Sequence, residues 1–229
     1  MNKISEDFES LLKLCDEEKD SFRLTIRDSF EKGFKLWFER YRMGDKSLDA
    51  NLSGMLENRL SEEEAFYILV YTGGLSRWVN SELRNSETPK SQCKQTFVAR
   101  LNQALDKMKS FNAGIVFRMD YPPGDKAIAL KWFETKIGSK FRIPYFLSTA
   151  KEDYNNSEVV WQIKSLGDQS LGKDVSRLTN NKYELEVLFK TGSCFEILSV
   201  DIARSYIFLQ ELAQDSHTDF DLTKFYVGT

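Results

Sequence analysis

Apolar residues along the first third of the chain return every three or four positions. Over residues 5–42 the positions Ile26, Phe30, Phe34, Trp37 and Phe38 would share one face of a helix, with charges largely on the other. A second helix is predicted from Ser61, whose hydroxyl can cap the amides that follow while Glu64 reaches back to complete a capping box. The run EEAFYILVY then reads as a buried helix up to Gly73-Gly74, which should end or break it. LSRWVNSELRN resumes the pattern with Leu75, Trp78, Val79 and Leu83, and Phe97, Val98, Leu101, Leu105 and Met108 define a further amphipathic helix.

After Phe111 the texture changes to short runs rich in Val, Ile, Phe and Tyr: GIVFRMD, FRIPYFLST, EVVWQIKS, YELEVLF, SCFEILSV and SYIFLQEL. Such runs read as strands. Only AIALKWFETK, after the Tyr-Pro-Pro-Gly-Asp turn, still reads as a helix in this half. Helices first and sheet second make an α+β arrangement. Trp37, Trp78, Trp132 and Trp161 all fall in amphipathic runs and are expected in the core.

Composition narrows the class. With 229 residues, 41% hydrophobic and 29% charged, the chain has the make-up of a soluble globular protein, either one large domain or a catalytic domain with a small helical extension. The 32 basic and 35 acidic residues leave a net charge of -3, so no global field favours phosphate or anionic lipid; nucleic acid is not excluded as a substrate or acceptor, but it is not favoured. Cys15, Cys93 and Cys194 fit no metal motif and argue against a disulfide scaffold, and the single histidine, His217, removes most imidazole-based mechanisms. No metal is expected, and carboxylates are left to carry any chemistry. The N-terminus has no apolar run of the signal-peptide kind and no stretch approaches a membrane span. The expected setting is soluble: cytoplasmic, or exported without a signal peptide.

Glu184 and Glu186 sit two apart in a run read as a strand, so both carboxylates should project from one face. Two acids so placed suit cleavage of an N-glycosidic bond: one stabilises the positive charge developing on the sugar and the other orients or deprotonates the nucleophile. Glu-x-Glu also arises by chance among surface charges, as Glu62 and Glu64 show. Arg118 lies inside an apolar strand and needs an anion, either a pyrophosphate or a neighbouring acid such as Asp120. Ser148 and Thr149 end the FRIPYFLST strand, where hydroxyls can fix a carboxylate and bond a ribose, although such dipeptides also serve as ordinary turn chemistry.

Taken in order, an Arg on a first strand, Phe-x-Ser-Thr, then Glu-x-Glu-Val-Leu followed by a Gly turn and Phe-x-Ile, resemble the three motif regions of the mono-ADP-ribosyltransferase family. Tyr71-Thr72-Gly73, Trp78-Val79-Asn80, Leu83-Arg84 and Gly172-Lys173-Asp174-Val175 are similar to that family's flanking segments, so the resemblance spans residues 55–212. It implies a mainly antiparallel two-sheet core, a catalytic domain over 55–229 and an N-terminal helical extension over 1–54 packed on it. It implies NAD as co-substrate, with Arg118 on the phosphates, Ser148 and Thr149 at the ribose, Glu186 on the ribose 2'-hydroxyl and Glu184 on the acceptor. Glu rather than Gln at 184 is what arginine-modifying members carry, so a protein arginine is the implied target, met by a toxin or effector. Met119 stands where many members have Gly, and Ala150 where many have a second Ser. Tyr145, Phe146 and Tyr154 are the candidates to stack on nicotinamide. An NAD glycohydrolase and a module of the same fold that has lost activity are the alternative readings.

Overall fold

A computed structural model describes residues 6–18, 43, 49–84, 88–122, 124–154, 159–179 and 185–222. The chain divides into two units: Met1–Met108 with Val175–Lys182, and Lys109–Asp174 with Tyr183–Thr229. The face predicted from Ile26 to Phe38, with Trp37, lies outside the described residues.

The first unit is helical. It contains α1 (Glu6–Glu17), α2 (Asp49–Glu57), α3 (Glu62–Val70), α4 (Ser76–Leu83) and α5 (Gln92–Lys107). The capping box forms as the sequence predicts: Glu64 N donates to Ser61 Oγ at 3.2 Å and Ser61 N to Glu64 Oε2 at 2.9 Å. Lys107 closes the far side, its Nζ 2.6 Å from Glu64 Oε1. The core between α3, α4 and α5 is aromatic, with Phe97 meeting Tyr67 edge-on at 5.3 Å and Trp78 at 6.0 Å between centroids.

Two expectations for this unit change. Gly73-Gly74 do not end the helix; α3 runs into α4 through one wide π turn, Tyr71–Leu75. Thr72 Oγ1 donates to the Ile68 and Leu69 carbonyls, at 3.1 and 3.2 Å, adding side-chain bonds where the helix widens. Cys15 on α1 and Cys93 on α5 are joined as a disulfide, with Cα atoms 5.3 Å apart. Their separation of 78 positions carries no signal of this contact, which depends on α1 packing along α5. The Glu18 carboxylate strengthens that docking by accepting from Ser91 Oγ, Gln92 N and Cys93 N, the amides at the start of α5.

Among its described residues the second unit holds one α-helix, α6 (Lys126–Glu134), a short 3-10 helix, Gly167–Gln169, and nine strands: β1 (Ile115–Asp120), β2 (Lys140–Ile143), β3 (Leu147–Ala150), β4 (Val159–Lys164), β5 (Gly172–Asp174), β6 (Glu186–Phe189), β7 (Ser193–Asp201), β8 (Tyr206–Leu212) and β9 (Phe220–Asp221). The helices-then-sheet order is as expected. Instead of two sheets, hydrogen bonding links all nine strands in the order β5-β6-β3-β1-β4-β8-β7-β2-β9. The link is very uneven. β1 pairs with β4 over six positions but with β3 only at Phe117↔Ala150. One sheet therefore behaves as a three-stranded wing and a six-stranded wing joined at a seam one residue pair wide. All pairings are antiparallel except β4 with β8 and β2 with β9.

Trp161 and Phe141, both fully buried, anchor the core of this unit, and Phe189 and Phe195 meet at 5.5 Å. Trp132 is only half-buried, set edge-on against Phe133 and Phe220. Gly172 is required where β5 crosses Phe189, because a Cβ there would stand 3.0 Å from the ring. Glu211 is fully buried and accepts from Leu166 N at 2.8 Å and Leu171 N at 2.7 Å, shaping the turn that leads into β5. Burial pushes its carboxyl above the usual range, against the pull of these donors and of Lys173.

Candidate active site

The seam in the sheet opens into a cleft of about 250 Å³. β1 lines it with Phe117, Arg118 and Met119, β3 with Ser148, Thr149 and Ala150, and β6 with Glu186. Strands paired at one residue diverge on either side of it, so the concavity follows from the topology.

Register decides which side chains meet. Ala150 lies opposite Glu186 and Ser148 opposite Leu188, so Ser148 and Glu186 are diagonal neighbours on one face of the wing. Ser148 Oγ donates to Glu186 Oε1 at 2.6 Å. Glu186 is only 4% exposed. A short bond from a hydroxyl to a carboxylate shielded from water holds that carboxylate in one rotamer.

Thr149 faces the other way, as the two-residue period of a strand demands. It pairs with Val187 and its hydroxyl donates to the Val187 carbonyl at 2.7 Å, so that hydroxyl fastens β3 to β6. Arg118 bridges the seam: its Nη1 donates to the Ser148 carbonyl at 2.9 Å, and its Nε stands 3.7 Å from Asp120 Oδ1. Of its two expected partners, the acid Asp120 is thus beside it, and Arg118 lines the cleft.

Glu184 lies outside the described residues. β6 begins at Glu186, and Leu185 just before it has a φ of 39°, in the left-handed region.

Among the aromatics, Tyr145 and Phe146 are buried in the core, while Tyr154 is 42% exposed and lines the cleft. Tyr121, 65% exposed just after β1, and Glu152 also line it, and neither was singled out from the sequence. The signal for Tyr121 was an aromatic next to Pro-Pro at the exit of an otherwise apolar strand, too common a pattern to stand out. Met119 and Ala150 both line the cleft as well.

A cleft that presents a fixed, shielded carboxylate beside a guanidinium suits a substrate bearing phosphates and a sugar cation. A model of the family described as ADP-ribosyltransferase exoenzyme matches residues 46–223. The chain belongs to that family. The exoenzyme family assignment covers both units and every residue of the cleft. A curated relative, the NAD(+)--protein-arginine ADP-ribosyltransferase Tre1 of Pseudomonas putida (strain GB-1), is 30% identical over 125 residues, 53% of this chain. The match spans 23% of the length of Tre1, about a quarter. Among solved structures, Plx2a, an ADP-ribosyltransferase toxin from Paenibacillus larvae, aligns with a TM-score of 0.61 at 15% identity, over 71% of this chain and 93% of that one. The C3 exoenzyme of Clostridium limosum aligns with a TM-score of 0.59 at 18% identity, over 72% and 93%. These likenesses place the chain in the exoenzyme fold.

Proposed function

We propose that the protein is an NAD-dependent mono-ADP-ribosyltransferase that moves ADP-ribose to a protein side chain, most simply an arginine, as a toxin or effector does. The observation that carries the reading is the 2.6 Å bond from Ser148 to the buried Glu186, in a cleft whose floor is Arg118.

The residues present fit NAD. Arg118 supplies charge for the phosphates. Glu186 is assigned to the ribose 2'-hydroxyl, and its negative charge, poorly screened at 4% exposure, stabilises the positive charge that develops on the sugar as nicotinamide leaves. Ser148 holds that carboxylate in place, and Thr149 keeps the two strands in register. Tyr154 is the aromatic we assign to the nicotinamide ring, since Tyr145 and Phe146 are committed to the core. Glu184, two positions before Glu186 in the chain, is assigned to the acceptor, and its acidity matches a guanidinium. The arginine specificity in the name of Tre1 supports the same acceptor. We assign residues 55–229 to catalysis and residues 1–54 to a helical extension. Among the described residues no helix is long and apolar enough to cross a membrane.

The test uses labelled NAD and candidate protein targets, with nicotinamide release followed in parallel. Wild-type protein should label arginine, and Glu186→Gln should lower nicotinamide release by about 100-fold or more, the usual scale for removing a charge aimed at the transition state. Full turnover in Glu186→Gln overturns the assignment. Nicotinamide release with no labelled macromolecule makes water the acceptor.

A further inference from the structure

We propose that Glu152 is a specificity-determining residue for the acceptor: its carboxylate receives the incoming guanidinium at the cleft, a role that rests on the transfer reaction proposed above.

Among the described residues the cleft is lined by one basic side chain, Arg118, and by two acidic ones, Glu152 and Glu186. Glu186 is buried and bound by Ser148. Glu152 is exposed, and it has no hydrogen bond or ion pair among the described residues. A second carboxylate repels the phosphates of NAD, so it costs affinity unless it faces a cation. Two cations meet in the proposed reaction, the pyridinium of NAD and the acceptor guanidinium. A carboxylate paired with the pyridinium would stabilise the ground state and lose its partner as positive charge moves from the ring to the sugar, which slows the reaction. A guanidinium keeps its charge while nicotinamide leaves, so pairing with it carries no such cost.

Position agrees with this choice. Glu152 lies two residues beyond Ala150, the register partner of Glu186, so both carboxylates belong to the same end of the β3–β6 pair. Both chain neighbours of Glu152 are fastened. Lys151 donates its backbone N–H to the Leu185 carbonyl at 3.1 Å, and its Nζ lies 2.5 Å from Asp174 Oδ2. On the other side, the Asp153 carboxylate accepts from the Tyr206 hydroxyl on β8. A merely solvated loop charge needs no such anchoring. Held on either side and open between, Glu152 loses little freedom when it binds a cation.

Glu152→Gln, Glu152→Asp and Glu152→Lys test this with N-acetylagmatine, whose guanidinium is its only charge, as acceptor. KM is measured separately for the guanidine and for NAD, with Tm as a control for folding. Glu152→Gln should raise KM for the guanidine about fivefold, the effect of a partly exposed ion pair, and Glu152→Lys should raise it further. Glu152→Asp, which keeps the charge, should recover most of the loss. KM for NAD should not rise in any of the three, because its phosphates gain from a less negative cleft. Added salt should raise KM for the guanidine in the wild type more than in Glu152→Gln, a response that a structural role would not give.

Active wild-type protein with an unchanged guanidine KM in Glu152→Gln overturns the role of Glu152 alone. A rise for NAD alone would put the carboxylate at the pyridinium, and a parallel rise for both substrates would mean damage to the cleft; either overturns it too. Wild-type protein that splits no NAD, or splits it without modifying the guanidine, overturns the proposed transfer to arginine and this inference with it.

Discussion

The bond between Ser148 and Glu186 ties a hydroxyl to a carboxylate almost out of reach of water. Hydrogen bonds to a charged group contribute about 1.5–3 kcal/mol, so losing this one while the carboxylate stays buried should be felt in the rate. Ser148→Ala is expected to lower kcat for nicotinamide release about tenfold or more, with a smaller change in KM for NAD and little change in Tm. An unchanged kcat would show that Glu186 is oriented by something else. At this scale the sequence was informative about identity and less so about direction. Arg118, Ser148 and Glu186 were picked out by residue type and order, and they do share one cleft. Thr149 was grouped with Ser148, yet the pleat turns its hydroxyl to Val187. Tyr145, Phe146 and Tyr154 could not be ranked until burial separated them.

Elements were legible where a period had room to show itself. The α3 cap is the clearest case, since Ser61 and Glu64 bond each other's backbone as their spacing implies. Ser61→Ala should cost about 1 kcal/mol and lower Tm by about 2–4 °C. The same cap predicts the pH response. Burial would raise the Glu64 carboxyl, but its bonds to Lys107 and Ser61 outweigh that and hold it below the usual range. A depressed folded-state value stabilises above the ordinary carboxylate range, and this stability is lost as pH falls through the folded value. The Tm difference between wild type and Glu64→Gln should therefore shrink on acidification from about pH 7 to about pH 3, as the wild-type carboxylate is protonated. A constant difference would count against the carboxylate's share in the cap. β5 and β9, three and two residues long, are too short to carry any alternation. The π turn was missed for another reason: Gly-Gly signals a break, and no local pattern marks a helix that widens there and continues.

At the scale of the whole molecule, long-range pairings decide the outcome and local patterns say little about them. Strand runs from Ile115 onward imply a sheet but not its order, and the one-pair seam that creates the cleft exists only in that order. The Cys15–Cys93 bridge is of the same kind, and it gives a test of the helical unit that does not depend on catalysis. Both cysteines are essentially unexposed, at 1% and 0%, so the bridge is sheltered from reductant until α1 and α5 separate. Cys194, in the other unit, is buried too, and burial raises its thiol above the usual range, which makes it a poor partner for exchange. Of the three cysteines, one should therefore titrate as a thiol in chemically denatured, unreduced protein, and all three after reduction. Because the bridge closes a separation of 78 residues, removing it frees a large part of the unfolded chain. Cys15→Ser with Cys93→Ser should lose about 2–4 kcal/mol and melt roughly 5–15 °C below the oxidised wild type. Reduced wild type should fall to the same Tm as this double variant, since both lack the same constraint. Three titratable thiols without reduction, together with a double variant that melts with the wild type, would mean that α1 is held to α5 by packing and by the Glu18 cap alone.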